Sequence, residues 1–310
     1  MPYLQSIEKI KGGWSFSYNG GELEVALKEV DCVLFYGASC DIPLTLLDEF
    51  NKYGITALLH RRGIATPYVF HCSNTTDTAN DILTGQILAR ENDIKRNFIA
   101  KSLIRGRLRT MEWLIEIPAS HYTQLRAEKR HHKVVAMEAN HSKRYWQAYA
   151  EKLGLIEWNR RSDNPVSAAL DACSYFVATM LLRWVLFHKL SPAHAYLHKP
   201  TTYISLVYDL MEPYRYLFEQ AVYEAYQDGG ETNLTERSVS ILKQKLEEWC
   251  YVPTQKGYVR RKNLLHGIVL ALRAYLLKEV KLIVLPLEGE KIGGRPVNSG
   301  YVIPGKKEKI

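Results

Sequence analysis

Glu138 is the one charged residue in an otherwise apolar stretch, VVAMEA. With His141, Ser142 and Tyr145 it shares one helix face at i, i+3, i+4 and i+7. Asp209 and Glu212 stand three apart in SLVYDLMEPYR, so their carboxylates also face one way, and His198 precedes Asp209 by eleven residues (209 − 198 = 11). Acids set among apolar helix positions of a basic chain admit two readings. One is ion pairing with Arg215 or Arg183; the other is a divalent cation held by two carboxylates and an imidazole. His194 and His198 have the spacing of two zinc ligands on a helix, but Pro192 and Pro200 bracket them and argue against that helix. Gly300 to Lys306 superficially opens a phosphate-binding loop. Lys307 stands where a metal-binding Ser or Thr is needed, and too few residues follow to form the helix.

Three basic clusters accompany these acids. Arg126 to Lys133 contains Lys129 and Arg130, Trp158-Asn159-Arg160-Arg161 sets an aromatic beside two guanidinium groups, and Arg260-Arg261-Lys262 is the third. Any one of them reads as a solvated helix end. Together, on a chain with 41 Lys and Arg against 33 Asp and Glu and a net charge of +8, they point to phosphate. Nucleic acid is the expected partner, ahead of an acidic membrane surface. The five cysteines include no C-x-x-C pair, which argues against a zinc ribbon or a disulfide framework and for free thiols in a reducing cytosol. MPYLQSIEKIKGGW has no apolar leader segment, so a cytoplasmic protein is expected. Ala168 to Phe187 is long and apolar, but Asp171 and Arg183 interrupt it; it reads as a buried core helix, and no membrane partner is expected.

The elements that must carry these residues fall into two periods. Up to about residue 75, turn signals at Gly12-Gly13 and Asn19-Gly20-Gly21 separate short β-rich runs: Trp14 to Tyr18, Leu23 to Leu27, Cys32 to Tyr36, Ile55 to Leu59 and Pro67 to His71. One helix, Ile42 to Tyr53, is stopped by Gly54. From Thr78 to about Glu279 the apolar residues recur at helical spacing, broken by links at Leu125 to Lys133, Trp158 to Pro165, Lys189 to Ser205 and Gln227 to Leu234. The reading is an α+β chain: a small N-terminal mostly-β domain, a larger all-α catalytic domain and a short irregular C-terminal tail. The expected boundaries are 1–75 for the β-domain, 76–82 for a linker, 83–280 for the helical domain and 281–310 for an extended tail.

SPAHAYLH followed by SLVYDLMEPYR resembles the signature of the CRISPR-associated integrase and endonuclease family, the first of the core adaptation proteins. MEANHSKRYW, NPVSAALDACSYF, Gln86 with RNFIAK, and YGITALLHRRG resemble further family segments, in one order over about residues 30–280. The resemblance places the family's catalytic and metal-binding Glu on Glu138, its His on His198 and its third acid on Glu212, with Asp209 in support. The chain departs from the family pattern at Ala139, His141, Ser142, Ser167 and Ala195, and Glu212 replaces an Asp. The resemblance implies metal-dependent cleavage and transesterification of double-stranded DNA, inserting short fragments into a repeat array with Mn²⁺ or Mg²⁺ as cofactor. Imidazole among carboxylates favours Mn²⁺ somewhat. It also implies a homodimer formed through the β-domains and a small ferredoxin-like partner, the second core adaptation protein. Lys129, Arg130, Tyr145, Arg160, Arg161, Arg215, Arg260 and Arg261 are the expected DNA contacts. A mobile-element integrase, an adaptation system working without the small partner, and a non-catalytic nucleic-acid scaffold are the alternatives.

Overall fold

The structure, a computed structural model, describes residues 3–37, 39–60, 68–71, 81–156, 158–198, 203–291, 293–295 and 297–307. Cys72, Pro67 and most of the expected linker lie outside the described residues. The N-terminal part holds two small sheets. Strands β1 (Leu4–Ile10), β2 (Gly13–Tyr18) and β3 (Gly21–Val25) form an antiparallel meander. In the second sheet β4 (Cys32–Tyr36) runs parallel to β5 (Thr56–His60), and β6 (Tyr68–Phe70) adds antiparallel. The crossover between β4 and β5 is helix α1 (Leu44–Tyr53), ended by Gly54 in the left-handed conformation at φ 70°, which glycine adopts without steric cost. Leu4, Trp14, Phe16, Phe35, Leu46 and Phe50 make the core between these layers.

Nine helices among the described residues build the rest: α2 (Ile82–Glu91), α3 (Asp93–Met111), α4 (Ala119–Ala127), α5 (His131–Leu153), α6 (Pro165–Phe187), α7 (Ser205–Met211), α8 (Arg215–Gly229), α9 (Leu234–Glu247) and α10 (Arg261–Leu276). The apolar run proves to be the central helix α6, with Leu170, Val177, Ala178, Leu181 and Val185 fully buried. The side chain of Asn164 caps it by accepting from the amide of Ser167 at 2.8 Å. The two parts meet at aromatic contacts: His60 lies 4.2 Å and Tyr36 6.2 Å, ring centre to ring centre, from Tyr175 on α6. One expectation is corrected. A hairpin, β7 (Trp249–Val252) and β8 (Gly257–Arg260), interrupts the helical region between α9 and α10. The described residues of 281–307 form no helix, yet Ile283, Leu285 and Ile303 are buried against the helices.

At the α6–α10 contact, His266 stacks on Trp184 at 3.6 Å and its Nε2 lies 2.9 Å from Nε2 of His188. Burial, then the positive potential of His188 and Arg183, pushes the His266 pKa down to about 3. A base whose pKa is depressed by folding contributes stability above its unfolded pKa of about 6.5 and loses it as pH falls. Unfolding free energy is therefore expected to drop by about 1.4 kcal/mol per pH unit through this group below pH of about 6.5. Urea titrations of His266→Gln across that range should show a flatter acid limb; a slope equal to wild type would contradict it.

Candidate functional site

The acids converge where α7 ends. Pro213 follows Glu212, and the helix gives way there to a single 3₁₀ turn, Glu212–Tyr214, before α8 sets off at Arg215. Helix α3 packs directly on this turn at Gly106. A Cβ there would come within 2.8 Å of Leu285 Cδ1 and 3.0 Å of Pro213, so glycine lets the helix approach without shifting either side chain.

Asp209 is fully buried on α7. Its Oδ2 accepts from the amides of Tyr196 at 2.6 Å and Leu197 at 2.7 Å; its Oδ1 accepts from the His198 amide at 3.1 Å and faces His198 Nδ1 at 2.6 Å. Both oxygens are thus filled by the loop after α6. The loop is also tied to α2: buried Gln86 donates to the carbonyls of Ser191 and His194, each at 2.9 Å, and accepts from the Ser191 amide at 2.8 Å. Arg90 donates to the carbonyl of Ala195 at 3.1 Å. His198 is therefore held with Nδ1 on Asp209 and Nε2 as its remaining ring nitrogen. Burial pulls its pKa down, but the Asp209 hydrogen bond and charge, with Glu212 and Glu138, outweigh this and raise it above the ordinary value. His194 lies in the same irregular loop beside Arg90, so the His194–His198 pair does not share a helix face.

Glu138 is half-buried on α5, and its Oε1 accepts from Ser142 Oγ at 2.5 Å. Burial, then the charge of Glu212, raises its pKa against the opposing effects of Ser142, Arg215 and Arg107. Glu212 is 4% exposed. Its Oε1 accepts from Arg215 Nη1 at 3.0 Å, whereas its Oε2 is buried without a hydrogen-bond partner, 3.8 Å from the equally unpartnered Nε of Arg107. Arg107 forms a two-pronged pair with buried Glu219, at 2.8 and 2.7 Å. Glu219 also accepts from Tyr145 Oη at 2.7 Å and Arg215 Nε at 3.3 Å. The structure thus brings Glu138, His198, Asp209 and Glu212 into one electrostatically coupled group, although among the described residues no three acids, histidines or cysteines close around a common ion position.

The residues present fit a divalent cation in two respects. A buried carboxylate oxygen without a donor is an uncompensated acceptor, and a cation satisfies it. Four carboxylates (Glu138, Asp209, Glu212, Glu219) meet two guanidinium groups (Arg107, Arg215), leaving two negative charges when His198 is neutral, which a divalent ion matches.

The expected DNA contacts divide. Lys129 and Arg161 are exposed and Arg130 is largely so, with its Nε 3.2 Å from Glu128. Arg160 pairs with Asp171 at 2.5 Å and lies over Trp146. Tyr145 is corrected: it is fully buried, donates to Glu219 and accepts from Trp113 Nε1 at 3.0 Å, so it belongs to the core. Arg215 is corrected likewise, because its guanidinium is committed to Glu212 and Glu219. Arg260 pairs with Glu247, and Arg261 with Glu248 and Glu288, so the third cluster is neutralised where it stands. Sequence reasoning passed over Arg105 and Arg109, one turn apart on the solvent face of α3. With Arg126 of α4 they form an exposed set whose side chains make no ion pair among the described residues. Burial and then the like charges of Arg109 and Arg126 depress the pKa of Arg105. The i, i+4 repetition of arginine was the available signal.

A family model described as CRISPR associated protein Cas1 matches residues 5–234. No curated protein matches. Among solved structures, a casposase bound to its integration product superposes with a TM-score of 0.77 at 15% identity, covering 94% of each chain. A Cas1 protein from Thermotoga maritima superposes at 0.74 with 14% identity, covering 91% of this chain and 97% of that one. A Cas6-RT-Cas1–Cas2 complex superposes at 0.69 with 12% identity, over 93% of this chain and 36% of that one. At these identities the likeness to the solved structures is one of fold.

Proposed function

The chain belongs to the family of CRISPR-associated Cas1 proteins, and from that premise we propose that it is a DNA integrase of CRISPR adaptation, joining short DNA fragments to a repeat array by metal-dependent transesterification. The observation that carries the reading is the buried, donor-free Oε2 of Glu212 in a group coupled to Glu138 and His198. Glu138, Glu212 and Nε2 of His198 are the atoms proposed to hold Mn²⁺ or Mg²⁺, with Asp209 fixing the imidazole from behind. The ion, when bound, supplies charge stabilisation at the phosphate and at the attacking and leaving oxygens. In the reaction a DNA 3′-hydroxyl attacks a backbone phosphorus in line; one P–O bond forms, one breaks, and the departing 3′-oxygen takes up a proton. With water in place of the 3′-hydroxyl the same site is a nuclease. Arg215 holds the Glu212 carboxylate through Oε1, and the bolted loop holds His198.

Double-stranded DNA is the proposed substrate, with a homodimer as the working form and Cas2 as partner; a Cas1–Cas2 assembly among the fold relatives supports the last. The casposase likeness favours one second reading, a mobile-element integrase of the same chemistry. Incubating purified protein with a fragment, plasmids with and without a repeat array, and Mn²⁺ tests the proposal: array-directed strand transfer supports it, and no strand transfer on any target contradicts it.

For phosphate contact, neutralising a cation that touches DNA removes about 0.9 from the slope of log affinity against log salt. The triple substitution Arg105→Ala, Arg109→Ala, Arg126→Ala is expected to flatten that slope by about 2.7 units if all three touch phosphate. Arg160→Ala with Arg161→Ala should take only about one, because Arg160 is already paired with Asp171. An unchanged slope in the triple variant would make that set ordinary solvated surface.

A further inference from the structure

Arg107 is 1% exposed and permanently charged, so it requires an anion. Two carboxylates stand within reach. Glu219 takes both terminal nitrogens in parallel, the geometry in which a guanidinium is most fully satisfied. Glu212 is left at 3.8 Å from Nε, too far for a hydrogen bond. Glu219 is itself locked: Tyr145 Oη donates to its carboxylate, and Tyr149 Oη to its backbone carbonyl at 2.8 Å. The arrangement leaves one polar atom on each side unmade, which folded interiors generally avoid. Removing Glu219 would free Arg107 to turn to Glu212, whose Oε2 already lies 3.8 Å from its Nε, and cover that oxygen.

We infer that Glu219 and Arg107 are a positioning pair: by occupying and neutralising the guanidinium, Glu219 keeps Oε2 of Glu212 available to a divalent cation. The inference rests on the metal site proposed above and concerns a pair that touches neither ion nor DNA. It gives the buried pair a purpose that stability alone does not, since such pairs are often replaceable by apolar side chains at little cost.

The test is direct Mn²⁺ binding to the full chain, read from the electron paramagnetic resonance signal of free Mn²⁺, with thermal melting run alongside. Glu219→Gln removes the charge, keeps the shape and is expected to raise the Mn²⁺ dissociation constant by about 10–100-fold, the range of outer-sphere changes. Adding Arg107→Met removes the competing cation, restores the net charge of the site and should return the constant to within about threefold of wild type. Equal binding by Glu219→Gln and wild type overturns the inference and leaves the metal site standing. A double variant as weak as Glu219→Gln overturns it too, because the loss is then structural. If Glu219→Gln does not fold, the double variant decides alone, by keeping or losing wild-type affinity. Wild type that binds no Mn²⁺ ends the metal site, and the inference with it.

Discussion

Glu138→Ala is expected to lose strand transfer and cleavage in Mn²⁺ by about 10²-fold or more, while its affinity for DNA stays within about a few-fold of wild type. The separation follows from what the side chain touches. Glu138 accepts one hydrogen bond, from Ser142 one turn along its own helix, and faces the Glu212 charge. It makes no ion pair among the described residues and holds no loop in place. Burial and that like charge raise its pKa, so folding disfavours its ionised form. The sign follows: an acid with a raised folded pKa subtracts from stability in full at pH above that pKa, and the penalty fades as pH falls from there to its unfolded pKa. Without metal, Glu138→Ala should therefore melt at or above the wild-type temperature near neutral pH, the pattern of a residue kept for function at the expense of stability. Excess Mn²⁺ should raise the melting temperature of wild type more than that of the variant, because binding to the folded state alone stabilises it. Undiminished activity of purified Glu138→Ala would refute the assignment, and a large fall in melting temperature would show that its role is structural.

The helical period made α6 and the helix before Gly54 legible, because apolar residues at i, i+3 and i+4 read the same wherever the helix packs. The β7–β8 hairpin was hidden by its own charges: Arg260, Arg261 and Lys262 drew attention as a basic cluster, while WCYVPTQKGYVR alternates around a turn. Strand β1 (LQSIEKI) was passed over because only its Leu4 is buried, so the alternation of a half-buried strand is faint. The candidate site divides along the same line. Asp209 and Glu212 stood out as a local spacing, while the grouping of Glu138 and His198 with them came only from the family resemblance. Arg107 and Glu219 were not legible, since they pair across 112 residues and each looks like one more charge on a helix. The signal lay in their surroundings. Arg107 stands four residues after Leu103 and four before Met111, both buried, so it had to point inward. A charge at such a position needs a buried partner, but the one-dimensional pattern cannot say which. The Tyr145 reading failed for the same reason: its helix face points toward the site, but from within the core.

Glu212→Gln and Asp209→Asn should fail differently. Asparagine at 209 keeps one acceptor oxygen where the carboxylate has two, and the two serve three backbone amides and His198 Nδ1. Whichever way the amide is turned, its NH₂ faces buried donors, and each donor left unpaired costs about 1–3 kcal/mol. The loop that carries His198 is then loosened, and the imidazole loses the acceptor that sets its tautomer. Asp209→Asn is expected to lower the melting temperature by several degrees and activity by about 10–100-fold. Glutamine at 212 still accepts from Arg215 and disturbs no loop, so the fold should melt close to wild type. It removes the charge from the donor-free Oε2, and at saturating Mn²⁺ its turnover should fall by about 10²-fold or more. Turnover and melting curves of the two purified variants separate the roles. An inactive Asp209→Asn that melts like wild type, beside a nearly intact Glu212→Gln, would move the proposed ligand one helical turn toward the N-terminus. The hydrogen bonds that now fill Asp209 would then have to open before any ion could reach it.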